Sequence, residues 1–358
     1  MFFSPLKINN NRTGRGTTFW AAHKDGELSA QYINKISGAS TIDVTRPNLV
    51  TYDSTFRNPV QFSWSSAYVV SRSDKQVVDV YTALNDGVPD GINGNVELFR
   101  SARIGGYATP YVDNVDWTID TVWNTYSIGN LEDTDPQNTF IRSEGLGVGD
   151  TTFITISNPD LSPTNIQFVL DHGILFLGHN TATESTNIFY TDGDGEKTYN
   201  TEIDNVFVTN GMLEASKNSI FAYTKYSDTE IKLHSFNKSD LNVINKIIID
   251  TDVRGMCANG DDDLFAIIED TLNWYDSNLG LVGTHVITDL NGESLKGVYR
   301  GIEVDIYDNI YILYYNDATE RSTVDVFSQS QFTGIPYQSI QFDGEIVGIA
   351  AQFKGYRP

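Results

Sequence analysis

The sequence contains one cysteine, Cys257, in 358 residues, so no internal disulfide braces the fold. The thiol sits in a short apolar run and reads as a packed, inert side chain. Only 10 prolines accompany 29 glycines, which suits a turn-rich globular chain and excludes a fibrous one. No run of 18 apolar residues exists to cross a bilayer as a helix. No run of Lys or Arg exists either, and 24 basic against 47 acidic side chains leave a formal charge of -23. Such a surface repels phosphates, which argues against nucleic-acid partners. The usual catalytic signatures are also missing. His23, His172, His179, His234 and His285 form no His-x-His or His-Glu-x-x-His pattern, and there is no Gly-x-Ser-x-Gly elbow or glycine-rich phosphate loop. The opening Met1-Phe2-Phe3-Ser4-Pro5-Leu6-Lys7-Ile8 turns polar at Asn9-Asn10-Asn11, so the expectation is a chain without a secretory signal.

What the sequence has is core-forming material and a repeat. Apolar residues make up 40% of the chain, with 19 Tyr, 19 Phe and 5 Trp, which excludes global disorder. Between about Ile166 and Phe342 one phrase returns four times, an acidic or small polar turn feeding an apolar strand. Its copies are Gly173-Ile174-Leu175-Phe176-Leu177, Ser219-Ile220-Phe221-Ala222-Tyr223, Leu264-Phe265-Ala266-Ile267-Ile268 and Asn309-Ile310-Tyr311-Ile312-Leu313. The lead aliphatics Ile174, Ile220, Leu264 and Ile310 recur at intervals of about 45 residues, the length of a four-stranded propeller blade.

Each copy is followed by a second strand signal, as in Ile231-Lys232-Leu233-His234-Ser235-Phe236 and Thr323-Val324-Asp325-Val326-Phe327. Three are preceded by a leading strand that opens on glycine: Gly211-Met212-Leu213, Gly255-Met256-Cys257 and Gly301-Ile302-Glu303. Small residues suit strands that converge near an axis. The pattern resembles the β-propeller superfamily at the level of fold, without the WD dipeptide, kelch glycines or aspartate box of particular families. A β-sandwich or split all-β fold and a β-solenoid are the competing architectures.

The resemblance implies an all-β propeller of seven four-stranded blades over 19-358, regular across about 160-343, preceded by an N-terminal arm at 1-18. Glu345 to Phe353 reads as a lone inner strand that completes a blade begun near the N-terminus and so removes the open edges of the ring. Residues 19 to 160 carry looser strand signals, around Phe19-Trp20, Val60-Gln61-Phe62, Val77-Val78-Asp79-Val80 and Thr151-Thr152-Phe153-Ile154. They fit irregular blades or a separate small β domain.

Candidate sites are sparse. Asp192, Asp194 and Glu196 alternate with glycine in a tight loop, an oxygen-ligand arrangement that suits Ca2+, though an ordinary solvated turn has the same composition. Asp261, Asp262 and Asp263 form a second acidic group, and Asp305 and Asp308 a third. His172 beside Asp171 could perform acid–base work at a channel mouth. Glu214, Glu303 and Asp305 are the carboxylates that a propeller glycosidase would use. Trp20, Trp64, Trp117, Trp123 and Trp274 lie in candidate strands and should fill the spaces between sheets, unless one stacks on a sugar at a rim.

With no catalytic constellation and a strongly acidic surface, the sequence points to a non-enzymatic structural or docking protein. Large acidic β-rich chains of this kind resemble virion components of tailed bacteriophages, in the capsid or tail. That resemblance implies repeated copies in a symmetric assembly, with residues 1-18 contacting a neighbour. Two alternatives stay open: an extracellular glycan-binding or glycoside-hydrolysing propeller, and an intracellular protein-interaction scaffold.

Overall fold

The computed structural model describes residues 17–25, 28–34, 38–42, 44–45, 60–63, 67–71, 77–82, 96–103, 112–119, 125–131, 138–143, 151–155, 161–169, 173–180, 182–191, 198–204, 208, 210–287, 297–305, 307–329 and 335–351. The chain opens with β1 (Thr17–His23), β2 (Leu28–Asn34), β3 (Gly38–Ile42), β4 (Val44–Thr45), β5 (Val60–Ser63), β6 (Ala67–Ser71), β7 (Val77–Thr82) and β8 (Val96–Arg103). Next come β9 (Val112–Ile119), β10 (Thr125–Leu131), β11 (Asn138–Ser143), β12 (Thr151–Thr155), β13 (Leu161–Val169), β14 (Gly173–Asn180), β15 (Ser185–Thr191) and β16 (Thr198–Asp204). They are followed by β17 (Asn210–Ala215), β18 (Ser219–Ser227), β19 (Glu230–Asn237), β20 (Val243–Ile249), β21 (Val253–Ala258), β22 (Leu264–Ile268), β23 (Thr271–Tyr275) and β24 (Leu281–Val286). The last five are β25 (Val298–Val304), β26 (Asn309–Asn316), β27 (Arg321–Ser328), β28 (Gln338–Asp343) and β29 (Ile346–Ala351).

The architecture is all-β, built from repeated antiparallel sheets in a propeller-like arrangement. Among the described residues five four-stranded sheets are simple meanders: β9 to β12, β13 to β16, β17 to β20, β21 to β24 and β25 to β28. The region of looser signals supplies two more. One is five-stranded, in the order β4-β8-β7-β6-β5, with β4 and β8 parallel. The other has the order β29-β1-β2-β3, so the last strand joins the first.

The repeat seen in the sequence is a repeat in space. Ile174, Ile220, Leu264 and Ile310 each open the second strand of a sheet, opposite Phe168, Ala215, Ala258 and Val304 of the first. All four are fully buried. The turn before the second strand is tight, and Gly173, Asp262 and Asp308 adopt positive φ there (97°, 66° and 59°). Glycine and short acidic side chains are the residues that tolerate this conformation.

Apolar clusters fill the spaces between consecutive sheets. Leu175, Leu177 and Ile188 of one sheet meet Leu213, Ala222 and Phe236 of the next. Met212, Tyr223 and Leu233 then meet Met256, Ala266 and Tyr275. Phe265 and Leu272 meet Ile302 and Ile312. Tyr311, Leu313 and Val324 meet Phe19, Ile349 and Ala351. Burying a side chain of this size removes about 1.5–3 kcal/mol of unfavourable water contact, so these seams carry the stability of the fold. Trp20 and Trp117 are buried and Trp274 packs beside a seam, as a space-filling role requires. Trp64 and Trp123 lie outside the residues whose side chains are described.

The first strands of the sheets stand side by side in succession. β5 lies against β9, β9 against β13, β13 against β17, β17 against β21, β21 against β25, β25 against β29, and β29 against β5.

Candidate functional site

The innermost strands have one edge whose N–H groups find no partner within their own sheet, and a buried N–H must be satisfied. Neighbouring sheets supply the acceptors. Asp116 on β9 accepts from the Ile166 N–H at 3.0 Å and from Asn165 Nδ2 at 2.7 Å. Asn165 on β13 in turn accepts the Leu213 N–H of β17 at 2.9 Å. The register makes Asp116 and Asn165 equivalent, and the same position is Met212, Gly255 and Gly301 in the next three sheets. The polar tether therefore gives way to close packing. At Gly255 a Cβ would lie 2.0 Å from the Tyr299 hydroxyl oxygen and 2.6 Å from its ring, so the next sheet already occupies the space of a side chain.

The turns that leave the inner strands form a second polar layer. Asp305, just past β25, accepts four hydrogen bonds: from the N–H groups of Tyr307 (2.7 Å) and Asn309 (3.0 Å), from Asn309 Nδ2 (2.8 Å) and from the Tyr311 hydroxyl (2.8 Å). Burial pushes its carboxyl above the usual range despite these donors. Asn259 holds the equivalent place after β21 and caps the N–H groups of Asp261 and Asp263. Asp262 reaches back one sheet to Ser216, where it takes the serine hydroxyl, the N–H groups of Asn218 (2.7 Å) and Ser219 (3.1 Å), and Asn218 Nδ2 (2.7 Å). Burial works to raise the Asp262 carboxyl, but these bonds outweigh it and hold it below the ordinary range. Asp263 is raised by burial, against donors from Trp274, Asn259 and Gln329.

A third polar group sits between the β13–β16 and β17–β20 sheets. Lys232 Nζ contacts Asp204 at 2.6 Å and Glu230 at 2.8 Å, and lies 4.8 Å from the centre of the Tyr226 ring. Burial works against the charge on both partners, and their mutual hydrogen bond prevails, so Lys232 is raised and Asp204 lowered. Beside them His234 is fully buried, with Nε2 2.9 Å from the Thr224 hydroxyl. Burial, reinforced by Lys246, depresses its pKa to about 4.

The sequence-derived candidates separate under this geometry. Asp192, Asp194 and Glu196 lie outside the described residues, as do Asp171 and His172. Among the described residues no group of three or more His, Cys, Asp or Glu side chains is arranged to hold a metal ion. Asp262 and Asp305 serve as acceptors for turn donors. Glu214 and Glu303 occupy equivalent inner-strand positions, opposite Phe221 and Tyr311 respectively, and both are buried. His23 bonds Ser29 at 2.8 Å and lies edge-on to Phe342.

The sequence did not reveal the character of the outermost strands. β20 exposes Val243, Ile244 and Ile248, and β24 exposes Leu281, Val282 and Val286, on neighbouring sheets. The outer strand β28 instead exposes Gln341 and Asp343. Alternation along β20 and β24 is interrupted by register shifts opposite Ser235/Phe236 and at Trp274/Tyr275, so periodicity could not separate their faces.

No protein-family description matches the sequence. No curated protein matches it either. Solved structures do. A protein from Lactobacillus plantarum superposes with a TM-score of 0.59 at 10% identity, over 94% of this chain and 100% of that one. A candidate 6-phosphogluconolactonase from Bacteroides uniformis gives 0.59 at 12% identity, over 94% and 99%. A mutant ACO from Synechocystis gives 0.54 at 8% identity, over 95% and 92%. At such identities the likeness is one of fold.

Proposed function

We infer that the chain is a seven-bladed β-propeller, closed where β29 completes the sheet of β1 to β3, and that it works by docking as a structural subunit of a larger assembly. The cyclic succession of inner strands and the β29–β1 ladder support the ring. The observation that carries the docking role is the exposure of aliphatics on both outer strands, with Leu281 58% and Val286 55% exposed on the face of β24 that looks toward β20, and Ile248 69% exposed on the opposite face of β20, beside Lys232. Exposed aliphatics on adjacent edge strands are unfavourable in a free monomer and mark a surface that another chain covers. The virion of a tailed bacteriophage is the kind of assembly that the acidic β-rich sequence resembles. Imaging of the native assembly at low resolution tests this reading. It expects repeated copies at fixed positions with β20 and β24 turned toward a neighbour. A free monomer in its native setting overturns it.

A second reading is supported by Glu214 and Glu303, two buried carboxylates at equivalent positions of alternate inner strands, and by enzyme names among the similar folds. In this reading the axial end binds or hydrolyses a glycan. Release of reducing sugar by the wild type, lost in Glu214→Gln or Glu303→Gln, would favour it over docking. The absence of both binding on a glycan array and sugar release removes it.

A further inference from the structure

The gap between β20 and β24 is a wedge with aliphatic walls, interrupted on β24 by Thr284. At one end β20 is tied to the turn between β23 and β24, since Asn245 Nδ2 donates to the Asn278 carbonyl oxygen at 2.6 Å. Ile247 and Ile249 of β20 pack on the cluster shared by the two sheets and form the inner part of the gap. On the other side Leu281 is the register partner of Tyr275, which belongs to the same cluster, and Val286 is the partner of Thr271 on the same face of β23. Leu281 and Val286 therefore look across the gap toward β20. They are 58% and 55% exposed, so the outer part of the wedge is open.

The end of the wedge near Ile249 and Val286 is acidic. Asp250 and Asp252 follow β20, and Glu269 and Asp270 form the tip between β22 and β23. Two cations stand against these four acids, with Lys225 on Asp252 at 2.8 Å and Arg254 on Asp270 at 3.5 Å.

We propose that this wedge receives residues 2–8 of a second copy of the chain, laid in as an extended strand beside β24. The inference rests on the docking reading and names the occupant of its surface. Charge and composition carry the choice. Residues 1–16 contain Lys7, Arg12 and Arg15 and no acidic side chain, in a chain whose formal charge is -23. Phe2, Phe3, Leu6 and Ile8 supply the apolar side chains that an aliphatic wedge takes up, and the basic residues suit its acidic end. An added strand would extend the sheet in which β24 is the edge strand among the described residues. A copy's own segment leads into β1 at Thr17, in a sheet that the succession of inner strands separates from the wedge by the whole β25–β28 sheet. A neighbour's segment meets no such obstacle.

The test uses the full chain, a variant lacking residues 2–8, and Leu281→Asp, with Val286→Asp as the second wedge variant. Circular dichroism establishes which of these fold. Light scattering should give a mass for the full chain that rises with concentration, and the mass of a single chain for each variant. A labelled synthetic peptide of residues 1–12 should bind the deletion variant. Its affinity should fall about tenfold or more in the same deletion carrying Leu281→Asp, and fall again in high salt. Equal peptide binding with and without Leu281→Asp overturns the proposal, and if the full chain still assembles, the docking reading survives it. A full chain that stays monomeric at every concentration and takes up no peptide, although the deletion variant binds it, replaces the second copy with the chain's own segment. A monomeric full chain that itself takes up the peptide overturns the second copy as occupant, and a monomeric full chain whose deletion variant binds none counts against both readings.

Discussion

Phe19 and Ala351, from opposite ends of the chain, are register partners in one antiparallel ladder. Around them Phe19 meets Tyr311 at 5.5 Å between ring centres and Phe342 edge-on at 6.4 Å, so the joined ends form a packed seam. Ile349 belongs to that seam and is almost fully buried. Ile349→Ala should cost about 2–5 kcal/mol in urea unfolding, whereas Val347→Ala, on a half-buried side chain of the same strand, should cost less. Equal costs would mean that the two ends of the chain are not packed as described.

Asp262 links its sheet to the preceding one through Ser216, Asn218 and Ser219. Asp262→Ala removes the acceptor of the Asn218 donors, leaves Ser216 and Ser219 only their bonds to each other, and puts a β-carbon residue of poor left-handed tolerance at a φ of 66°, so a loss of about 1–3 kcal/mol is expected. Asp262→Asn should lose less. The folded carboxyl is depressed, so its contribution is full above the unfolded pKa and is lost as the pH falls through the folded value. Urea midpoints of wild type and Asp262→Ala should therefore converge in acid below about pH 4.

His234 gives a pH dependence of its own. Its folded pKa is about 4, below the ordinary value of 6.5, so the unfolded chain takes up the proton first. Stability is full above about pH 6.5 and declines as the pH falls toward about 4, by on the order of 2–3 kcal/mol. The groups facing His234 include Thr224, Lys232, Lys246 and Asp204. In His234→Gln the decline between pH 6.5 and 4 should shrink by that amount. An unchanged slope of melting temperature against pH would place the imidazole in contact with water.

Gly255 and Tyr299 exclude each other sterically. Gly255→Ala should destabilise the protein by about 1–3 kcal/mol, because the new methyl meets the Tyr299 ring. In a Tyr299→Ala background the same substitution should cost much less. A double-mutant cycle with a coupling of about 0.5 kcal/mol or more confirms the contact, and strict additivity refutes it.

Much of the fold could be read from the chain because its repeat is local. A glycine or acidic turn followed by an apolar strand recurs at Ile174, Ile220, Leu264 and Ile310, and each copy writes its own hydrophobic period. The strand at Ile346 to Ala351 was legible for a related reason, since its small and aliphatic residues have the character of the inner strands. The parallel pairing of β4 with β8 was not legible, because Val44 and Val96 are joined only across a long intervening stretch. Nor was the role of Asp262. Three consecutive aspartates read as a candidate cation site, whereas the folded chain sends Asp262 to a serine in the neighbouring sheet and Asp263 to Asn259 and Gln329.

By itself, then, the sequence determined the strand content, the length of the repeating unit, the acidic surface and the want of catalytic motifs, all of which follow from residue type and short-range periodicity. The tertiary structure alone decided which polar groups are used up between sheets and which apolar ones stay uncovered. Those outcomes depend on contacts between segments dozens of residues apart. Val282 and Val324 look alike in the sequence, yet one is about half exposed and the other fully buried, because Val324 packs in a seam between two sheets while Val282 lies on an outermost strand at its register shift.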